Sequence, residues 1–338
     1  MSKPKVFVTR LIPERGLELA RQAADLEVWQ DPLPPSRDVL LEKVKGLDGL
    51  LCLLTDKIDA TLMDAAGQQL KVISQMAVGY DNVDVAAATQ RGIPIGNTPG
   101  VLTDTTADFA WTLLMSAARR VVEGDKFTRA GKWKTWGPID FLGPDVSGAT
   151  LGIVGFGRIG QGMAKRAAGF DMRVLYYDVQ RYPVIEKSLK AEYVDLETLL
   201  HESDFVTLHT VLSPETQHLI DDAKFKLMKR SAIIINTSRG PVIDPQALYR
   251  ALSNGIIAYA ALDVTEPEPI RMDDPLLTLD NIIIAPHIAS ASFQTRNKMA
   301  TMAAANLIAG LTGERLPEKS GRPAPSWTRS SSRMRRNN

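Results

Sequence analysis

Short apolar runs alternate with amphipathic stretches along most of the chain. KVFVTR, LEVWQ, GLLCLL and KVISQM read as strands, while IPERGLELARQAA and SRDVLLEKVKG between them carry helical spacing. The alternation resumes after residue 150, where LGIVGF, MRVLYY, DFVTLHT, AIIINTS, AYAALDV and NIIIAPH are strand-like, separated by helical patterns such as DLETLLHES and PQALYRALSNG. Such alternation predicts α/β architecture, with parallel sheets covered on both faces, and the six later strands match a dinucleotide-binding sheet in size.

Between the two groups, Thr103 and Asp104 offer N-caps to a pattern with Ala107, Ala110, Trp111, Leu114 and Ala118 at helical spacing. It predicts one long helix from Asp104 to Val122 with a small-residue face, followed by the connector GKWKTWGPIDFLGPDVSG. After His287, SFQTRNKMATMAAANLIAGLTG is again helical. The polar, basic residues 318–338 are expected to be a disordered tail.

At 338 residues the chain exceeds what one core usually absorbs, so two domains are expected. The net charge of +1 supplies no field to draw it to nucleic acid, and no apolar run reaches the roughly 18 residues that span a membrane. A small-molecule partner is the remaining expectation. The basic N-terminus reads as a first strand, not a secretion signal. Cys52, the single cysteine, lies in an apolar run and fits a reducing, cytoplasmic setting.

The strongest local signal is LGIVGFGRIG, which places Gly155, Gly157 and Gly160 as G-x-G-x-x-G between a strand and a helix, with Arg158 and Ile159 opening that helix. The three glycines suit a tight turn, close approach to a pyrophosphate and close helix packing. The next strand ends in Asp178, where an acid binds adenosine ribose hydroxyls and disfavours an added phosphate. NAD is the expected cofactor, and nearby Arg181 leaves NADP possible.

Hydride transfer to a 2-oxo acid needs a cation for the substrate and a proton donor. Arg239 follows the strand AIIINTS, at the carboxyl end where open sheets bind ligands. His287 ends NIIIAPH and precedes the small residues Ala289, Ser290 and Ala291, so it is the best donor available. His201 and His218 read as solvated, and His209 ends a strand beside the expected cofactor. Glu268 and Glu266 both follow a strand end as candidate partners of the imidazole, and spacing does not separate them. No metal site is expected, because His201-Glu202 has Phe205 where a zinc motif needs histidine, and no Lys-Ser or Lys-Thr phosphate loop exists.

Together GRIG, TSRG, DVTEPEP and PHIASAS resemble the D-isomer-specific 2-hydroxyacid dehydrogenases, and the likeness runs from about residue 5 to 316. It implies Arg239, Glu268 and His287 as the catalytic group, and the amides of Val78 and Gly79 as substrate-carboxylate ligands braced by Asp81 and Asn82. Asp263 is implied to meet the nicotinamide carboxamide. Thr106, Thr237 and His287 are implied to line the cofactor. The long stretches GRIGQGMAKRAAGFDMRVLYYD and ESDFVTLHTVLSPETQHLI are most similar to glyoxylate and hydroxypyruvate reductases.

The resemblance implies two Rossmann-like or flavodoxin-like parallel-sheet domains with a cleft between them. The substrate domain would comprise 1–100 and 288–317, and the NAD-binding domain 101–287. The implied reaction reduces glyoxylate or hydroxypyruvate to glycolate or D-glycerate, in a homodimer formed through the long helix. Pyruvate or a phosphorylated hydroxy acid is the alternative substrate, and an NAD-sensing co-repressor-like protein is the alternative class. Ala289, Ser292 and Val211 replace the family's usual Gly, Thr and Pro, the first crowding the pocket toward small acids. Glu268 argues against formate dehydrogenases, which carry glutamine there.

Overall fold

The apolar runs assemble into two all-parallel sheets. A computed structural model describes residues 3–317, which divide into two units. The expected tail, 318–338, lies outside the described residues. One unit takes the chain up to Leu102 and from Ala291 onward, and the other is Thr103–Ser290. These boundaries fall two and three residues beyond the expected 100 and 287, because a helix begins at Thr103 and because Ile288 and Ala289 are bonded back to Asp263.

In the first unit, β1 (Lys5–Val8), β2 (Asp25–Val28), β3 (Gly49–Cys52), β4 (Val72–Gln75) and β5 (Ile95–Gly96) adopt the order β2-β1-β3-β4-β5, the flavodoxin-like arrangement. Successive side chains alternate between faces. Phe7, Leu50 and Ile73 pack with Leu62 and Met63 on one side, and Val6, Val8, Leu51 and Val72 pack with Leu17, Ala303 and Leu307 on the other. The second face is closed by the C-terminal helix Phe293–Thr312, which sits so near the helix Glu14–Ala23 that a Cβ on Gly16 would lie 2.7 Å from that of Ala300. The Ser74 hydroxyl, buried on β4, donates to the Ala303 carbonyl at 2.7 Å.

The second unit carries β6 (Thr150–Val154), β7 (Arg173–Tyr177), β8 (Ala191–Tyr193), β9 (Phe205–Leu208), β10 (Ile233–Asn236), β11 (Tyr259–Leu262) and β12 (Ile282–Ile284), ordered β12-β11-β10-β9-β6-β7-β8. Counted from β6, this is the dinucleotide-binding order with one further strand beyond β11. The sheet thus has seven strands where six were expected. The addition is β8, a three-residue edge strand, Ala-Glu-Tyr, with only its alanine buried, too short to leave a hydrophobic pattern.

The single long helix is also corrected. It ends at Ala118, Arg120 takes a left-handed conformation with φ 51°, and a second helix runs Val121–Arg129. Its small-residue face does not await another chain. Ala107, Ala110, Leu114, Ala117 and Ala118 are buried with Met163 and Ala164 in the unit's own core, and Trp111 tilts against Phe170 at 5.0 Å. Small side chains serve here to bring this helix close to the glycine-rich helix Arg158–Ala167, where a Cβ on Gly162 would lie 3.0 Å from that of Ala107. Among the described residues, no helix is long and apolar enough to cross a membrane.

Candidate active site

The turn after β6 is shaped by what its glycines exclude. Gly155 has φ 92°, and a Cβ there would lie 2.7 Å from the His209 carbonyl, while one on Gly160 would lie 2.2 Å from the Gly155 oxygen. Side chains at those two positions are therefore barred. Gly157 differs, since nothing lies within 4 Å of its missing Cβ. Open space before the N-terminus of a ten-residue helix, beginning at Arg158 and Ile159, fits a pyrophosphate.

Asp178 is buried just past β7, and its carboxylate accepts the Phe156 amide at 2.6 Å and the Gln180 amide at 3.1 Å. The acid thus also braces the glycine turn. Arg181 is engaged by Glu186 through two hydrogen bonds of 2.8 and 3.0 Å, which pair its charge with a carboxylate.

At the ends of β9 and β10, His209 Nδ1, Thr210 Oγ1 and Thr237 Oγ1 are buried without a hydrogen-bond partner among the described residues. Buried polar atoms are rarely left so, and a ligand rich in hydroxyls and phosphate oxygens would satisfy them. With the open Gly157, these atoms fit a dinucleotide. Burial pushes the His209 imidazole down to about 3. Its Nε2 meets the Thr207 hydroxyl at 2.8 Å. Thr106 is buried near the start of its helix.

The proton-donor candidate is held by an unusual turn. Asp263, wholly buried after β11, accepts three successive amides: His287 to its carbonyl at 2.9 Å, then Ile288 and Ala289 to its carboxylate at 2.8 and 2.7 Å. His287 takes φ 55°, a conformation that costs a non-glycine residue roughly 1–2 kcal/mol. Burial pushes the Asp263 carboxyl up, and the amides of Ile288 and Ala289 offset only part of that rise.

So oriented, His287 Nδ1 lies 2.5 Å from Glu268 Oε1. Glu266 turns elsewhere, meeting His218 Nε2 at 2.7 Å. Geometry therefore separates two glutamates that spacing could not, and His218, expected to be solvated, is instead engaged. Arg239 is half-buried after β10, in a turn whose Asn236 side chain accepts from Ser238 and donates to the Arg239 carbonyl.

In the first unit, Val78 and Gly79 occupy a loop bonded from several sides. Gln75 donates to the Gly79 carbonyl at 2.6 Å and to Asn82 at 2.8 Å, and Asn82 donates to the Asp56 carbonyl at 2.8 Å. Asn97 donates to the Val78 carbonyl at 2.9 Å and is itself held by buried Asn306. Gln75, Asn97 and Asn306 were not anticipated. A polar residue inside the apolar strand VISQ was the available signal for the first of them.

Residues 111–289 match the family model described as the D-isomer specific 2-hydroxyacid dehydrogenase NAD binding domain. The chain is 58% identical over 313 residues to a glyoxylate reductase of Korarchaeum cryptofilum, covering 92% of this chain and 94% of that one. The chain belongs to the D-isomer specific 2-hydroxyacid dehydrogenase family. Among solved structures, a Thermus thermophilus protein superposes with a TM-score of 0.89 at 46% identity, covering 94% of this dehydrogenase and all of that chain. An NADPH-dependent glyoxylate/hydroxypyruvate reductase from Sinorhizobium meliloti, solved with NADP and malonate, superposes at 0.82 with 30% identity, covering 94% and 97%.

One histidine of the dehydrogenase, His209, has its imidazole buried at a strand end. With its imidazole pushed down to about 3, His209 stays neutral across the range in which such a protein is handled. In a ¹⁵N-histidine NMR titration from pH 5 to 9, we expect one ring to show the neutral form throughout and to vanish in His209→Gln. A titration step of that ring near neutrality would contradict this reading of its burial.

Proposed function

We propose that this dehydrogenase reduces a small 2-oxo acid, glyoxylate or hydroxypyruvate, to glycolate or D-glycerate, with NADH preferred. The observation that carries the reading is the His287–Glu268 pair on the Asp263-held turn. NAD(P)H, when bound, supplies the hydride. Glu268 occupies Nδ1 of the imidazole, which leaves Nε2 to hand a proton to the carbonyl oxygen. Arg239 provides the cation that orients the carboxylate and stabilises charge growing on the carbonyl oxygen. The Val78 and Gly79 amides are assigned to the substrate carboxylate. Asp178 and the pairing of Arg181 with Glu186 support NADH over NADPH, and the buried methyl of Ala289 beside His287 supports short substrates.

Initial rates over a panel of 2-oxo acids with both nucleotides test this. Glyoxylate and hydroxypyruvate should outpace phenylpyruvate at equal low concentration, with NADH ahead of NADPH. His287→Ala should lower the rate roughly 10²–10⁴-fold, and Arg239→Ala should raise KM as well as lower kcat. Faster phenylpyruvate reduction, or wild-type rates in His287→Ala, would overturn the assignment.

The functional unit is proposed to be a homodimer, and its interface moves from the helix face to the segment after it. Val121, Trp133, Trp136, Ile139 and Leu142 are all exposed, Trp136 by 78%. The last four are large apolar side chains, each at least 64% exposed, and two are tryptophans, a type enriched at interfaces. Sedimentation should report a dimer, and Trp133→Ser with Trp136→Ser should shift it toward monomer. A wild-type chain that stays monomeric on concentration would remove the claim. A buried, lone Cys52 fits the expected reducing, cytoplasmic setting.

A further inference from the structure

The loop after β11 carries two glutamates, and only Glu268 is used by the proposed chemistry. Glu266 meets His218 Nε2 at 2.7 Å, with the imidazole 40% and the carboxylate 32% exposed. His218 is no casual neighbour. Its backbone is left-handed, with φ 49°, and its amide donates to the Pro241 carbonyl at 2.7 Å. Two residues on, the Ile220 amide donates to Val242 at 3.1 Å and the Ile220 carbonyl accepts from Asp244 at 3.0 Å. Segment 218–220 is thus stitched to residues 241–244, which leave the Arg239 turn directly.

The third segment meets the other two at Gly240. A Cβ there would lie 1.9 Å from the Thr265 carbonyl oxygen and 2.8 Å from the Glu266 amide, so the backbone after Arg239 rests on the backbone before Glu266. Van der Waals contact alone permits the two to slide. The imidazole of His218, anchored on the Arg239 side and bonded to Glu266 on the other, supplies the directional bond across this contact. Only Pro267, whose φ is fixed by its ring, separates the two glutamates, so the chain that links Glu266 to Glu268 is short.

We propose that His218 and Glu266 are positioning residues that lock the loop bearing Glu268 to the turn bearing Arg239. Neither touches the reacting atoms. Their pairing fixes the distance between the cation and the carboxylate that backs the proton donor, and the proposal rests on the reductase reading above.

The test measures NADH-dependent glyoxylate reduction in wild type, His218→Gly, Glu266→Ala, the double variant and His218→Gln. Glycine suits the left-handed position, so His218→Gly removes the side chain without adding strain there, and thermal melts check folding. Each single change should lower kcat roughly five-fold and raise glyoxylate KM, with NADH KM unchanged. The double variant should be no worse than the worse single, because both break one contact. His218→Gln, whose amide can still donate to Glu266, should recover to within about two-fold of wild type. Wild-type kcat and KM in His218→Gly, losses that multiply in the double variant, or no recovery in His218→Gln would overturn the proposal. Should one variant fail to fold, the half-exposed Glu266→Ala carries the same comparison. Wild-type protein without glyoxylate reductase activity would instead overturn the reaction assigned above.

Discussion

Three consecutive amides converge on one buried residue, Asp263, and much of the second unit's chemistry depends on that convergence. Two of them, from Ile288 and Ala289, reach the carboxylate, and hydrogen bonds to a charged group are worth roughly 1.5–3 kcal/mol each, enough to hold His287 in a left-handed conformation that costs about 1–2 kcal/mol. The bound amides in turn lower the cost of keeping a carboxylate in the interior. Without this exchange the chain after β12 would have no reason to turn, and the imidazole would not be set against Glu268. The same bonds fasten residues 288–289 to the second unit before the chain returns to the first.

The glycine turn repeats this coupling of backbone and carboxylate. Asp178 takes the Phe156 amide, as Asp263 takes those of Ile288 and Ala289, so each acid at a strand end orders the neighbouring strand's exit. An expected cofactor ligand is thereby also a structural clamp. Substitution at either position acts on loop geometry as well as on ligand contact, and kinetic effects there carry both contributions.

Much of this was legible in the chain. Strands buried on both faces declare themselves as apolar runs, and G-x-G-x-x-G has few other physical uses between a strand and a helix. What escaped was information that sequence spacing does not hold. Glu266 and Glu268 are two residues apart in an irregular loop, and its path alone sends one to His218 and the other to His287. Left-handed backbone at Arg120, His218 and His287 leaves no glycine to mark it. The alanine face of the Thr103–Ala118 helix was legible as a close-packing surface, but composition could not say that a glycine-rich helix of the same unit would fill it. β8 is an edge strand too short for a period.

The placement of His287 stands on the turn at Asp263, and hydrogen exchange reads that turn without recourse to activity. Amides of Ile288 and Ala289, which donate to the Asp263 carboxylate, should be protected in the wild-type protein and exchange roughly ten-fold faster or more in Asp263→Ala, while the amides of β10 and β11 keep their protection. Equal exchange of residues 288 and 289 in the two proteins would mean that the Asp263 carboxylate does not hold the turn at His287, and the basis for its pairing with Glu268 would be lost.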